Sequence, residues 1–154
     1  MKFTKLEALH LSLKDEAILL KNLEFDDYIA LMGLKTKLSK IMEEYQEVSK
    51  NLVEEYNKPF IEERKSEVFK KALIKKKEDR TEEEVMLLSA QPPVRQLENG
   101  FIVGPTDFVD KFSKAREKDY KIDTKILKDK ITFKSTFENV NIENQSILFE
   151  TLLK

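Results

Sequence analysis

Three glutamates near the end of the first third of the chain have a spacing that can bind a metal ion. Glu43, Glu44 and Glu47 stand within five residues. On a helix, this spacing brings their carboxylates close enough to share a divalent cation, and carboxylate oxygens are the ligands that such cations prefer. An acidic helix face in solvent has the same pattern, and we favour that interpretation.

The run Glu43-Glu44-Tyr45-Gln46-Glu47 resembles the first half of the metal site of the all-α nucleotide pyrophosphohydrolases. That family also carries E-x-x-D on the following helix. The glutamates of the next segment are instead followed, three positions later, by Lys65, Ser66 and Lys70. A magnesium-dependent nucleotide pyrophosphohydrolase is therefore the least favoured of our hypotheses.

His10 is the only histidine, and cysteine is absent. Glu7 and His10 have the E-x-x-H spacing of di-iron proteins, but such a site needs two of these motifs. A nucleophilic triad or dyad would depend on His10 alone. The glycines, Gly33, Gly100 and Gly104, are scattered and form no phosphate-binding loop. We predict no catalytic residue, no metal and no cofactor, and hence no enzymatic activity.

An apolar stripe predicts a long second helix, beginning at Asp26 or Asp27 and ending near residue 57. Its members, spaced by three and four residues, are Leu31, Leu34, Leu38, Ile41, Tyr45, Val48, Leu52 and Tyr56. At about 25 cal/mol per Å², burial of this stripe dominates the energetics of the fold. It must pack against another helix or a second copy of itself. We predict that Leu31 to Leu52 bind a protein partner or mediate self-association, and that Gly33 marks a close helix approach.

Local signals predict the helices on either side of the long one. Thr4-Lys5-Leu6-Glu7 is a capping box for a first helix, whose apolar face reaches Leu20. Pro59 interrupts the long helix, and residues 60–78 form a third. Thr81-Glu82-Glu83-Glu84 is a second capping box that opens a short helix before Pro92-Pro93.

The last third of the chain combines turn signals with short apolar runs. Asn99-Gly100 predicts a type I′ hairpin between Val94 and Val103. A helix follows through residues 108–115, then one or two short strands between 122 and 142. A final helix is capped by residues 144–146.

Residues 64–80 hold eight basic and three acidic side chains, although the whole chain has a net charge of only −1. Contact with the phosphates of a nucleic acid is one interpretation. Solvated lysines at the end of a helix are the other. The candidate nucleic-acid-binding residues are Arg64, Lys70, Lys71, Lys75, Lys76, Lys77 and Arg80.

The composition agrees with a mainly α (α+β) protein. Charged residues make up 37% of 154, with only 3 glycines and 4 prolines, as expected for solvated helices. We predict an N-terminal helical hairpin or coiled coil (1–57), a charged helical connector (58–93) and a small α+β lobe (94–154). Without a signal peptide or a membrane span, a soluble cytoplasmic protein with no membrane partner is expected.

The order of these parts is similar to that of a family of small uncharacterised proteins of tailed bacteriophages and prophages. A helical pair leads into the long helix ending at Glu54-Glu55-Tyr56-Asn57. Asn99-Gly100 and the helix Asp107-Phe108-Val109-Asp110-Lys111-Phe112 come later, before a tail of short pieces. Residues 59–95 depart from that layout. The resemblance implies a phage-encoded accessory or assembly protein. With the missing chemistry, it favours an interaction protein that forms a homo-oligomer or binds another protein. Nucleic-acid binding is the alternative.

Overall fold

The computed structural model describes all 154 residues. It confirms a mainly α fold with a small β component. The α-helices are α1 (Phe3–Ser12), α2 (Phe25–Arg64), α3 (Glu67–Ile74), α4 (Glu82–Ser89), α5 (Thr106–Arg116), α6 (Lys130–Phe137) and α7 (Ile142–Leu152). The strands β1 (Arg95–Gln96) and β2 (Ile102–Val103) pair antiparallel. Short 3₁₀ turns cover Leu20–Asn22 and Lys77–Asp79.

Packing divides the chain into two compact units, residues 1–47 with 114–154, and residues 48–113. These units differ from the predicted division into 1–57, 58–93 and 94–154. The C-terminal helix joins the N-terminal unit because α7 packs on α1. Leu148 and Leu152 are fully buried there in the cluster that contains Leu6 and Leu9.

The core of the first unit is built from leucines at helical spacing. Leu6, Leu9 and Leu13 on one side meet the buried residues of α2, α6 and α7. The two ends of the chain are fixed to the extended segment between α5 and α6. The Phe3 amide donates to the Lys118 carbonyl at 2.9 Å, and the Leu127 amide donates to the Leu152 carbonyl at 2.9 Å.

These backbone bonds explain why the strands predicted between 122 and 142 are absent. The segment makes only isolated bridges, Lys2 with Asp119 and Leu127 with Leu153, and the rest of that range contains α6 and the start of α7. The predicted cap at residues 144–146 is also wrong. Asn141 caps α7 by accepting from the Glu143 amide, so the later residues lie inside the helix.

The first predicted capping box does not form. The N-cap of α1 is Lys2, which makes no side-chain cap bond, because the chain before the helix is already fixed to the segment near Lys118. Glu7 accepts a hydrogen bond from Arg116 instead. The helix ends at Ser12, short of the predicted Leu20, and Asp15 stabilises the turn beyond by accepting from the Ala17 amide.

α2 is longer than predicted and runs through Pro59 to Arg64. Proline removes one helical hydrogen bond, but side chains on both sides hold this helix in place. Asn57 is bonded to the backbone of Val94, and Arg64 donates to the Ala90 carbonyl at 3.0 Å. The close approach predicted at Gly33 is wrong, since a Cβ there would meet nothing within 4 Å.

Where one helix was predicted over residues 60–78, the structure has the end of α2, up to Arg64, and the separate short helix α3. Ser66 ends the preceding segment and caps α3 by accepting from the Phe69 amide, which is why the helix restarts there. The second capping box is confirmed, because Thr81 accepts from the Glu84 amide at the start of α4.

The hairpin lies where Asn99-Gly100 predicted it, but its turn is not type I′. A type I′ turn needs positive φ at both central residues, and Gly100 alone has positive φ, at 85°. The Gly100 amide donates to the Leu97 carbonyl, and the Leu97 amide to the Phe101 carbonyl. This is a three-residue loop whose left-handed position is occupied by glycine.

Candidate interaction surface

The apolar stripe of α2 is largely covered by its own chain. Leu31, Leu34 and Leu38 are 0%, 3% and 0% exposed, Ile41 packs against the same core, and the Tyr45 ring stacks on Phe3 at 4.1 Å. The three leucines are therefore buried inside the first unit, and Ile41 and Tyr45 are half-buried against it.

Val48 and Leu52, the remaining predicted partner-binding residues, lie in the second unit. Val48 is 53% exposed and Leu52 is half-buried. The seven residues therefore do not form one exposed surface.

The residues with possible catalytic spacing are not assembled into a site. No group of three or more acidic, histidine or cysteine side chains is close enough to hold a metal, so Glu43, Glu44 and Glu47 do not converge. Glu7 binds Arg116 at 2.9 Å. His10 lies at the rim of a small pocket, where partial burial lowers its pKa.

Several cations of residues 64–80 are used inside the protein. Arg64 lies over the Phe60 and Phe69 rings at 4.6 and 5.1 Å. Arg80 donates to the Ala72 and Leu73 carbonyls. These arginines hold short helices together, so they are not free for phosphates.

The lysines of the same segment divide into two sets. Lys70 pairs with Glu67 at 3.6 Å, and Lys75 with Glu84 at 2.7 Å. Lys71, Lys76 and Lys77 are exposed and have no side-chain partner. Lys65 is likewise exposed without a side-chain partner, so four of the segment's lysines remain available to another molecule.

The outer faces of α3 and α4 carry large apolar side chains in solvent, which we call the α3–α4 surface. Its members and their exposed fractions are Val68 (66%), Leu73 (58%), Ile74 (84%), Val85 (47%) and Met86 (72%). Single exposed apolar residues are ordinary, but several on two adjacent helices make these faces a candidate for a protein contact.

The α3–α4 surface exists because α3 has more apolar residues than it can bury. Of its eight residues, Phe69 and Ala72 face inward. Val68 and Leu73 flank this buried face on opposite sides, each about 70° from its centre, and Ile74 lies on the far face of the helix. α3 packs against α4. A single neighbouring helix cannot cover the buried face, the two flanks and the far face of α3 at the same time.

A groove of about 460 Å³ opens on one side of this helix pair. Its lining is mostly apolar. Two exposed glutamates without side-chain partners, Glu63 and Glu83, also line the groove. We call it the α3–α4 groove, and its lining residues are Glu63, Val68, Glu83, Glu84, Met86, Leu87 and Ala90.

Glu84 fixes the position of α4 against the end of α3. Its carboxylate accepts from Lys75 at 2.7 Å and from the Thr81 hydroxyl at 3.3 Å. The hydrogen bond from Lys75 is the main cause that lowers the pKa of Glu84. The carboxylate therefore stays charged and keeps the two helices paired at neutral pH.

Sequence reasoning missed this surface because it treated residues 60–78 as one helix with one buried face. Within EVFKKALI, apolar residues occupy five of eight positions, which is wider than a one-sided stripe requires. That excess could have indicated an exposed apolar face.

Comparison of the chain with known protein families, with curated proteins and with solved structures found no match. None of the helices has the length and apolar character needed to cross a membrane.

Proposed function

We propose that this protein is a non-enzymatic interaction or assembly protein that contacts its protein partner through the α3–α4 surface. The observation that carries this proposal is the exposure of Ile74, Met86 and Val68, at 84%, 72% and 66%. They stand on two helices of eight residues each. Apolar surface in water forgoes about 25 cal/mol per Å², so a partner that covers these side chains gains that free energy.

The proposed contact surface differs from the one expected from sequence. The long helix was expected to bind a partner through its apolar stripe. Leu31, Leu34 and Leu38, however, are at most 3% exposed. The α3–α4 surface lies within residues 59–95, the segment that departs from the layout of the small phage proteins. A role in a virion or its assembly remains part of the proposal, and this contact would then be particular to the present chain.

Nucleic-acid binding by residues 64–80 has less support. Arg64 and Arg80 are bonded to backbone carbonyls, and Phe69, the aromatic residue that could stack on a base, is 9% exposed. A single-strand site usually combines free cations with exposed aromatic rings. The unpaired lysines of the segment, Lys65, Lys71, Lys76 and Lys77, provide charge without such a ring.

Site-specific photo-crosslinking in the cells that make this protein tests the proposal. A benzoylphenylalanine replaces Met86 in one version and Ile131 in a matched control, because Ile131 is 83% exposed and belongs to the other unit. We expect a protein adduct of defined mass from position 86 and none from position 131. Absence of a protein adduct at 86, or equal adducts at both positions, would overturn the proposal.

A further inference from the structure

We propose that Asn99 is a site of spontaneous modification in the folded protein, where it deamidates through a cyclic imide formed with the Gly100 amide. Asn99 and Gly100 lie in the loop that joins β1 to β2, and both are exposed. Neither residue belongs to the α3–α4 surface, so the reaction does not depend on the proposed contact.

The residue that follows Asn99 distinguishes it from the other asparagines. Asn99 precedes glycine, whereas the others precede leucine, lysine, valine, isoleucine or glutamine. Ring closure requires the next backbone nitrogen to reach the side-chain carbon, and a Cβ on that next residue crowds the approach. Gly100 has no Cβ, and one built there would meet nothing within 4 Å. The space around the reacting amide is therefore open to water.

The loop holds the two reacting atoms in one turn. The Phe101 amide donates to Asn99 Oδ1 at 3.1 Å. This hydrogen bond closes a ring of atoms that contains both Asn99 Cγ, the carbon to be attacked, and Gly100 N, the attacking nitrogen. The bond also draws electron density from the side-chain carbonyl, which makes Asn99 Cγ a better electrophile.

A second hydrogen bond in the loop opposes the reaction. The Gly100 amide donates to the Leu97 carbonyl at 2.9 Å, and this bond must break before the nitrogen can lose its proton. The net stabilisation of such a bond corresponds to a slowing of about two- to tenfold. The fold therefore slows the reaction at Asn99 without preventing it.

The reaction needs only water. A solvent hydroxide ion removes the Gly100 amide proton, and the nitrogen's electron pair forms a bond to Asn99 Cγ. The bond from Cγ to the side-chain nitrogen breaks, and that nitrogen takes a proton from water and leaves as ammonia. Water then opens the imide. Attack at Cγ gives aspartate, and attack at the main-chain carbonyl gives isoaspartate, so in total one ammonia is exchanged for one water.

The isoaspartate product should change the hairpin. Its main chain runs through the former side-chain carbon and is longer by one atom, and it carries a new carboxylate. The bond from the Leu97 amide to the Phe101 carbonyl, at 2.7 Å, depends on a loop of three residues. We expect hydrogen exchange of the Leu97 amide to become about tenfold faster or more in the isoaspartate form.

Mass spectrometry of the folded full-length chain tests the proposal. The chain is incubated in mildly alkaline buffer made with heavy-oxygen water and is then digested with trypsin in ordinary water. Cleavage after Arg95 and Lys111 releases a peptide whose asparagine is Asn99. Deamidation during the incubation adds about 3 Da to this peptide, whereas deamidation during digestion adds about 1 Da.

We expect the heavy product to accumulate at Asn99 as both aspartate and isoaspartate, which chromatography separates. Asn51 is the internal control, because it is exposed in α2 and precedes Leu52, and it should stay unchanged. The chain in urea should react at Asn99 within about tenfold of the folded rate. Gly100→Ala should slow the reaction about tenfold or more, with circular dichroism as the check on its fold.

Three results would overturn the proposal: product at Asn99 in urea but none in the folded chain, equal conversion at Asn51 and Asn99, or aspartate formed without isoaspartate. The last result would exclude the cyclic imide, since direct hydrolysis of the side chain gives aspartate alone. All three comparisons use the wild-type chain, so they hold even where Gly100→Ala does not fold.

Discussion

Replacement of Asn57 by alanine should destabilise the unit formed by residues 48–113. The Asn57 side chain joins α2 to the segment before β1 through a single residue. The Val94 amide donates to Asn57 Oδ1 at 2.9 Å, and Asn57 Nδ2 donates to the Val94 carbonyl at 2.9 Å. Asn57 is 9% exposed and Val94 is 2% exposed, so these bonds are made away from water.

The expected magnitude follows from the groups that alanine leaves unpaired. The Val94 N–H and C=O each cost about 1–3 kcal/mol when buried without a partner. Water entering the space of the lost amide recovers part of this cost. Alanine also has a higher helix propensity than asparagine, by up to about 0.7 kcal/mol. The net loss in the free energy of unfolding should be about 2–4 kcal/mol.

Chemical denaturation, with hydrogen exchange of the Val94 amide, measures this effect. Asn51→Ala is the matched control, because Asn51 lies on the same helix, is exposed and makes no side-chain hydrogen bond. The control should be neutral or slightly stabilised, and its Val94 amide should stay protected. Equal unfolding free energies for the two variants, or unchanged exchange at Val94 in Asn57→Ala, would refute the role assigned to this side chain.

Three further substitutions should have effects of known sign. Gly104→Ala should destabilise by about 1–3 kcal/mol in thermal denaturation, because its Cβ would lie 2.8 Å from the ring of Phe108, which is 1% exposed and cannot move away. Gly33→Ala should stabilise by up to about 1 kcal/mol in the same assay, since its surroundings are open; a loss would contradict the geometry. The pairing of Glu84 with Lys75 stabilises above the ordinary glutamate pKa of 4.5 and is lost as the pH falls through the lowered pKa of the folded state. Hydrogen exchange in residues 67–89 should therefore rise in acid for the wild type, and Glu84→Gln should lack most of that change.

Sequence predicted best those elements whose signals are local. The spacing of leucines located α2, and Thr81 capped α4 as the box predicted, because both depend on residues within one or two helical turns. The hairpin was also placed correctly. Its turn type was missed because Asn99 keeps a negative φ, a choice set by the whole loop rather than by the dipeptide.

Predictions failed where a distant residue competes with a local signal. The Thr4 box was lost because the chain before α1 is bonded to Lys118 and the helix already begins at Phe3, while Glu7 binds Arg116, 109 residues away in sequence. Pro59 did not end α2, because Asn57 and Arg64 hold the helix through bonds to Val94 and Ala90. The sequence near residues 57–64 contains no signal that identifies Val94 or Ala90 as a bonding partner. The C-terminal end of α2 therefore could not be predicted from it.

The basic segment shows why the candidate site could not be read from composition. Its eight cations look equivalent in the sequence, but the fold assigns Arg64 and Arg80 to backbone carbonyls and Lys75 to Glu84. Lys65, Lys71, Lys76 and Lys77 remain exposed without a side-chain partner, and Lys76 and Lys77 follow the exposed Ile74 in sequence. On the proposed function, these lysines beside an exposed isoleucine would suit a protein partner that carries apolar side chains and carboxylates. The bonds that build the short helices therefore decide which of the eight cations stay exposed, and those bonds join residues whose pairing the composition does not show.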